Sequence, residues 1–133
     1  MRKALLVFVL LCWAVSAAGQ TTPGNPPAVA SWYGEEHRGK LMANGRRFDP
    51  DKMTAASWLY PIGTQVRVTV NSPVYRNSAP PSVLVTITDR GPARRLVRHG
   101  RKIDLAHAAF KELADPEAGL VEVTISPVID AKM

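Results

Sequence analysis

The stretch Val83-Leu-Val-Thr-Ile-Thr-Asp-Arg-Gly-Pro92 puts valine or isoleucine at every second position and then stops at a Gly-Pro turn. Residues two apart lie on one face of a strand, so Val83, Val85 and Ile87 are expected to face a core. Asp89 ends the strand, where a turn places a side chain at a rim. The same period recurs on either side. Val66, Val68 and Val70 alternate with Arg67 and Thr69 after the Pro61-Ile-Gly63 turn, and Val121, Val123 and Ile125 repeat the pattern. Ala28 to Tyr33 is a further apolar and aromatic run, closed by Gly34. Between Asn71 and Ser82, Pro73, Pro80 and Pro81 cannot donate to a ladder, which predicts an exposed loop. A helix is predicted where Leu105, Ala108, Ala109 and Leu113 share a face, with Asp104 at its start and Asp115-Pro116 at its end. Short strands with one or two short helices predict a mainly β fold, a small barrel rather than a βαβ sheet.

The N-terminal residues bear on the compartment. Arg2 and Lys3 precede an apolar run from Ala4 to Val15, shorter than the roughly 20 residues that span a bilayer. Ser16, Ala17, Ala18 and Gly19 supply small residues suited to signal-peptidase cleavage. The expectation is a cleaved signal peptide over 1–19 and an exported protein, periplasmic or secreted. Cys12, the single cysteine, lies inside the apolar run behind Leu11. That is a poor acylation site, so no lipid anchor and no stable membrane insertion after cleavage are expected. Of the 133 residues about 114 then remain, one domain's worth, without a cysteine for disulfides or thiolate metal sites. Loss of Arg2 and Lys3 lowers the net charge of +6 by two. A moderately basic exported domain favours anionic envelope polymers over nucleic acid. Residues 20–27 read as a flexible lead-in, 28–127 as the patterned domain and 128–133 as a C-terminal tail.

Four segments, in order, resemble the rare lipoprotein A (RlpA)-like family. They are Ala30-Ser-Trp-Tyr-Gly34; Ala43-Asn-Gly-Arg-Arg-Phe-Asp49 with Thr54-Ala-Ala56; Pro61-Ile-Gly-Thr-Gln-Val-Arg-Val-Thr69; and Val85-Thr-Ile-Thr-Asp-Arg-Gly-Pro92 with Ile103-Asp-Leu105. The resemblance implies a six-stranded double-psi β-barrel, the core also of expansins and barwin-like proteins. It implies lytic transglycosylase activity on the MurNAc–GlcNAc bonds of peptidoglycan glycan strands, leaving 1,6-anhydromuramyl ends, with strands already stripped of stem peptides favoured. The alternative is a non-catalytic, expansin-like module that binds glycan and loosens wall contacts.

That reaction needs an acid to protonate the leaving glycosidic oxygen and a base to take the proton from the C6 hydroxyl. One carboxyl can do both in turn, since no external water attacks, so the carboxylate pair of ordinary glycosidases is not required. The carboxyl must start protonated, which calls for a pKa above the reference value of about 3.9. Asp89 matches the position of the family's catalytic aspartate; equally, an aspartate there can simply bond turn amides. Asp104 matches the aspartate that expansins keep in their cleft, or is a helix N-cap. Two residues depart from the family pattern. Arg46 stands where a glutamate usually follows Ala-Asn-Gly, and Ser57 where a histidine usually follows Thr-Ala-Ala. A permanently charged guanidinium cannot serve as an acid and would oppose protonation of a nearby Asp89. Either Asp89 works with another carboxyl (Glu35, Glu36 or Asp104) or the domain binds without cutting; Arg46 could alternatively grip a muramyl carboxylate.

Binding candidates follow from side-chain chemistry. Trp32 and Tyr33 could stack on sugars, but alternation sends one of the two to the core; Tyr33 is the candidate carried forward. Trp58, beside Ser57 in a turn-rich region, is another platform. Asn44 could bond sugar hydroxyls or simply make its turn. Arg90, Arg94, Arg95, Arg98, Arg101 and Lys102 form a basic run, read as a solvated loop or as a contact for glycan or an anionic polymer. His37, His99 and His107 lack metal-ligand spacing, so no metal and no cofactor are expected, and the protein is expected to act as a monomer. The purified exported protein should begin between Ala18 and Gln20 and carry no lipid. N-terminal sequencing and intact mass check this, and an uncleaved start or a diacylated Cys12 would contradict it.

Overall fold

The computed structural model describes Pro27 to Ile129. The expected signal peptide, nearly all of the lead-in and the last four residues of the tail lie outside the described residues. Six strands, β1 (Ala28–Tyr33), β2 (Thr54–Ala56), β3 (Gln65–Val70), β4 (Ser82–Asp89), β5 (Arg101–Ala106) and β6 (Val121–Pro127), close into a barrel in the order β1-β5-β2-β4-β3-β6. The β1·β5 and β2·β4 pairs are parallel and the other four antiparallel. Closure pairs every strand on both sides, so no edge is left to template aggregation.

The three alternating runs form β3, β4 and β6, and the apolar and aromatic run Ala28–Tyr33 forms β1. In β3, Val66, Val68 and Val70 are buried while Gln65 and Arg67 are exposed. They meet Val85 and Ile87 of β4, Ile103 and Leu105 of β5, Val123 of β6 and Phe110 in one core. The segment 71–81 is a mostly exposed connection with one 3-10 turn at Pro73–Tyr75, as its prolines predict.

The predicted helix needs correction. Ile103 and Leu105 are fully buried and flank Asp104 in a strand, so the period of two wins over that of 3.6. Helix α2 covers His107–Lys111 only, and Ala106, not Asp104, stands at its N-cap, with no side-chain capping bond. Asp104 is therefore a strand residue. Asp115 accepts the Glu117 N–H at 2.9 Å and caps a following 3-10 turn, Pro116–Ala118. A second correction concerns the basic run: Arg94–Arg98 form a short helix, α1, with no buried residue, and Arg101 and Lys102 open β5.

The short strand β2 positions the site. It runs along β4 with Thr54 opposite Thr86 and Ala55 opposite Ile87; the register then slips, so that Ala56 stands opposite Asp89. On its other side Ala56 stands opposite Asp104 of β5. Asp89, Ala56 and Asp104 thus lie abreast across three neighbouring strands. Removal of core volume should expose this packing directly. Leu105→Ala should cost about 2–5 kcal/mol, seen as a lower urea midpoint at unchanged slope. Leu84→Ala, on the exposed face of β4, should cost within about 0.5 kcal/mol. Equal losses would contradict the assignment of faces.

Candidate active site

A cavity of about 310 Å³ opens over Ala56, walled by Asp89, Arg90, Gly91 and Pro92 on one side and by Tyr33, Phe48 and Asp104 among others. With one strand between them, the Asp89 and Asp104 backbones stand about 10 Å apart, two strand spacings of about 4.8 Å. Ala56 contributes only a methyl to the floor. Gly91 lies close above it: a Cβ there would sit 3.3 Å from the Ala56 Cβ and 3.6 Å from Asp104 Oδ2. A larger residue at either position would intrude on the space between the carboxyls.

Each carboxyl is anchored through one oxygen. Asp89 Oδ1 accepts the N–H of Ala43 at 2.9 Å and of Arg90 at 2.8 Å. The first bond ties the end of β4 to the turn that follows Met42, whose flanks are bridged between Leu41 and Arg47. The turn-bonding reading of Asp89 is thus met by one oxygen, and Oδ2 has no protein partner among the described residues. Asp104 Oδ1 accepts from the buried Ser31 hydroxyl and pairs with Arg101 Nη2 at 3.5 Å. Arg101 Nε donates to the Ser31 oxygen at 2.5 Å, closing a three-residue cluster.

Tyr33 faces this cavity, and Trp32 serves the core, so alternation is resolved. The Trp32 indole N–H donates to the Pro116 carbonyl at 2.9 Å, and its ring packs on His107 and Phe110. The Tyr33 ring stacks on Phe48 at 4.1 Å. Its hydroxyl is buried without a protein partner among the described residues. Burial pushes the phenol well above its usual range, and the charges of Asp89 and Asp104 push it further. The phenol therefore stays a protonated donor, in the field of both carboxyls.

The remaining sequence candidates are distributed differently. Arg90 lines the cavity, but its Nη1 donates to the Ser57 and Tyr60 carbonyls at 2.8 and 2.5 Å, clamping that loop to the end of β4. Ser57 is fully buried, donating to the Lys102 carbonyl and accepting the Leu59 N–H. Asn44 makes its turn: Oδ1 accepts the Arg46 N–H at 2.9 Å, and its own N–H donates to Thr88. Asn44 and Arg46 line a separate cavity with Asp49, Lys52 and Thr86. Arg46 is not brought to the Asp89 cavity. Trp58 lines a third, with Arg94, Val97 and Arg98.

Of the carboxyls considered as partners for Asp89, Asp104 shares its cavity. Glu35 and Glu36 line another, with Trp32 and His107. A hydrogen bond from Arg38 also holds the Glu35 carboxyl below its usual range, the wrong direction for an acid. Sequence reasoning missed His37, Lys40 and Phe48 as lining residues. They fall between strands, where no period marks them, and arrive through the Leu41–Arg47 bridge. Among the described residues no group of three or more His, Cys, Asp or Glu side chains could hold a metal ion.

Comparison with known proteins accords with this geometry. The lytic transglycolase family profile matches residues 27–125. A protein of Synechocystis sp. named probable endolytic peptidoglycan transglycosylase RlpA is 39% identical over 100 residues, 75% of this chain and 28% of its own length. The endolytic peptidoglycan transglycosylase RlpA of Vibrio cholerae is 36% identical over 99 residues, 74% of this chain and 34% of its own. The chain thus spans about a third or less of these two relatives. Among solved structures, a mutant of the Clavibacter michiganensis expansin in complex with cellohexaose aligns with a TM-score of 0.53 at 22% identity, over 80% of this chain and 52% of that one. That likeness is one of fold. The match across nearly all the described residues, on a closed six-stranded barrel, places this chain in the RlpA-like lytic transglycolase family of double-psi β-barrels.

Proposed function

We propose that the domain is an endolytic lytic transglycosylase that cleaves MurNAc–GlcNAc bonds of peptide-free peptidoglycan strands, with Asp89 as the proton-transfer group. The observation that carries this reading is the convergence of Asp89 and Asp104 on one open cavity, each with an oxygen left outside its structural hydrogen bonds. The activity named for the RlpA relatives supports it.

In this mechanism the Asp89 carboxyl donates its proton to the glycosidic oxygen as the C1–O bond to GlcNAc breaks. The resulting carboxylate then takes the proton from the MurNAc C6 hydroxyl while that oxygen bonds to C1. The 1,6-anhydro ring closes, no water is consumed, and Asp89 ends protonated as it began. Asp104, held by Ser31 and Arg101, supplies negative charge facing the positive character that develops at the sugar ring. The Tyr33 ring, stacked on Phe48, forms part of the groove wall against which a sugar would lie. The backbone separation of about 10 Å, two strand spacings, supports room for a sugar ring between the two carboxyls.

The expansin-like alternative rests on Ser57 and Arg46. Ser57 is consumed by structural hydrogen bonds and Arg46 lines another cavity, so neither supplies an acid or base here. The N-terminal pattern supports export to the periplasm or beyond, where peptidoglycan lies, and the basic charge supports an anionic wall partner rather than nucleic acid.

Asp89→Asn retains the Oδ1 acceptor and removes proton transfer. Formation of 1,6-anhydromuramyl ends on stripped strands should fall by about 10² or more, with melting temperature and glycan affinity little changed. Turnover equal to wild type would remove Asp89 from the mechanism. Glycan binding without any anhydro product from wild type would leave the binding module standing.

A further inference from the structure

Beside the catalytic cavity lies a second one of about 330 Å³, lined by Trp58, Arg94, Val97 and Arg98. The two adjoin in the chain: Ala56 and Pro92–Ala93 line the first, while Trp58 and Arg94 follow them into the second. A hydrogen bond of 2.8 Å from the Trp58 indole N–H to the Pro92 carbonyl fixes the ring against the shared wall. The Arg94 guanidinium lies over that ring, 4.2 Å from its centroid. Stacking in this way orients the planar cation and removes water from one face, while its N–H edge stays open to a bidentate acceptor.

Helix α1 carries Arg94, Arg95 and Arg98, and among the described residues none of the three is in an ion pair. Arg38 and Arg101, by contrast, are both paired with carboxylates. The cavity thus combines two unneutralised guanidinium groups with an apolar wall from Val97 and the partly exposed Trp58 ring. A ligand complementary to it carries a carboxylate on a short apolar branch.

We propose that this cavity is a subsite for the lactyl carboxylate of a muramyl residue on the strand that occupies the catalytic groove. The inference rests on the glycan-cleaving reading above and adds a source of selectivity to it. On a stripped strand the lactyl group ends in a free carboxylate that two arginines can take, with its methyl against Val97. On a strand that keeps its stem peptide the same carbon is a neutral amide, which offers no charge and continues into a bulky chain. Discrimination between the two then lies in Arg94 and Arg98 rather than in the carboxyls of the groove.

Binding of three oligosaccharides of equal length to the purified protein, followed by calorimetry, tests this. They are a peptide-free GlcNAc–MurNAc tetrasaccharide, the same molecule with its lactyl carboxylates converted to methylamides, and chitotetraose. Wild type should bind the free acid about tenfold or more tightly than the methylamide, and the difference should shrink at high salt. Arg94→Gln/Arg98→Gln should abolish that preference while leaving chitotetraose affinity and melting temperature unchanged, since no residue of α1 is buried. Arg94→Lys, which keeps charge without the planar fork, should fall between.

A double variant that keeps the preference, or that loses all three ligands equally, would overturn the subsite. So would arginine-dependent binding of a glycerol-phosphate polymer with no such dependence for the muramyl sugar. Wild-type binding of all three sugars with equal strength would defeat this inference alone. Binding of none of them would defeat the glycan reading itself.

Discussion

Everything proposed for the groove depends on where Ala56 sits. Strand β2 is three residues long, and its register against β4 slips between Ala55 and Ala56. Register sets which side chains share a face, and a slip of one residue exchanges faces. Here the slip brings Ala56 level with Asp89 on one side while it already faces Asp104 on the other. The smallest side chain of the trio lies in the middle, so two carboxyls line one cavity with open space between them. Irregularities of this kind recur beside active sites, where they re-aim side chains.

The surroundings hold that arrangement from several directions. Two backbone N–H groups grip Asp89, one of them from the turn after Met42, and Ser31 with Arg101 grips Asp104. Arg90 is tied to the Ser57–Tyr60 loop and sits as a brace under the end of β4. In each carboxyl the scaffold takes Oδ1, and Oδ2 has no protein partner among the described residues. The two readings that the sequence posed for Asp89, turn-maker and reactive group, are compatible: Oδ1 bonds the turn amides, and the reactive role remains the proposal made above. Different oxygens of the one side chain can serve each purpose.

Much of the fold was legible in the sequence where β-branched residues alternate, as in Val66–Val70, Val83–Ile87 and Val121–Ile125. Two strands were not. Thr54–Ala56 is too short to display a period. Ile103-Asp-Leu105 displays one that the following Ala108, Ala109 and Leu113 overlay with helical spacing, and burial of Ile103 and Leu105 inside the barrel decides for the strand. That error carried into the site, because it made Asp104 a plausible helix cap. The pairing of Asp89 with Asp104 depends on β2, so the resemblance could name both residues but spacing could not bring them together. Asn44, Arg46 and Trp58 were each binding candidates on side-chain chemistry or motif position, and the structure sets them around two cavities other than that of Asp89. The helical turn of Arg94–Arg98 carried no apolar face to announce it, and its interest lies in the charges it leaves unpaired.

The central claim is that the groove breaks a glycosidic bond without water. The most direct measurement is mass spectrometry of stripped glycan strands digested in isotopically heavy water. The account predicts new ends of the 1,6-anhydro form that carry no heavy oxygen. New reducing ends that do carry it would contradict the account, since water rather than the C6 hydroxyl would then be the nucleophile.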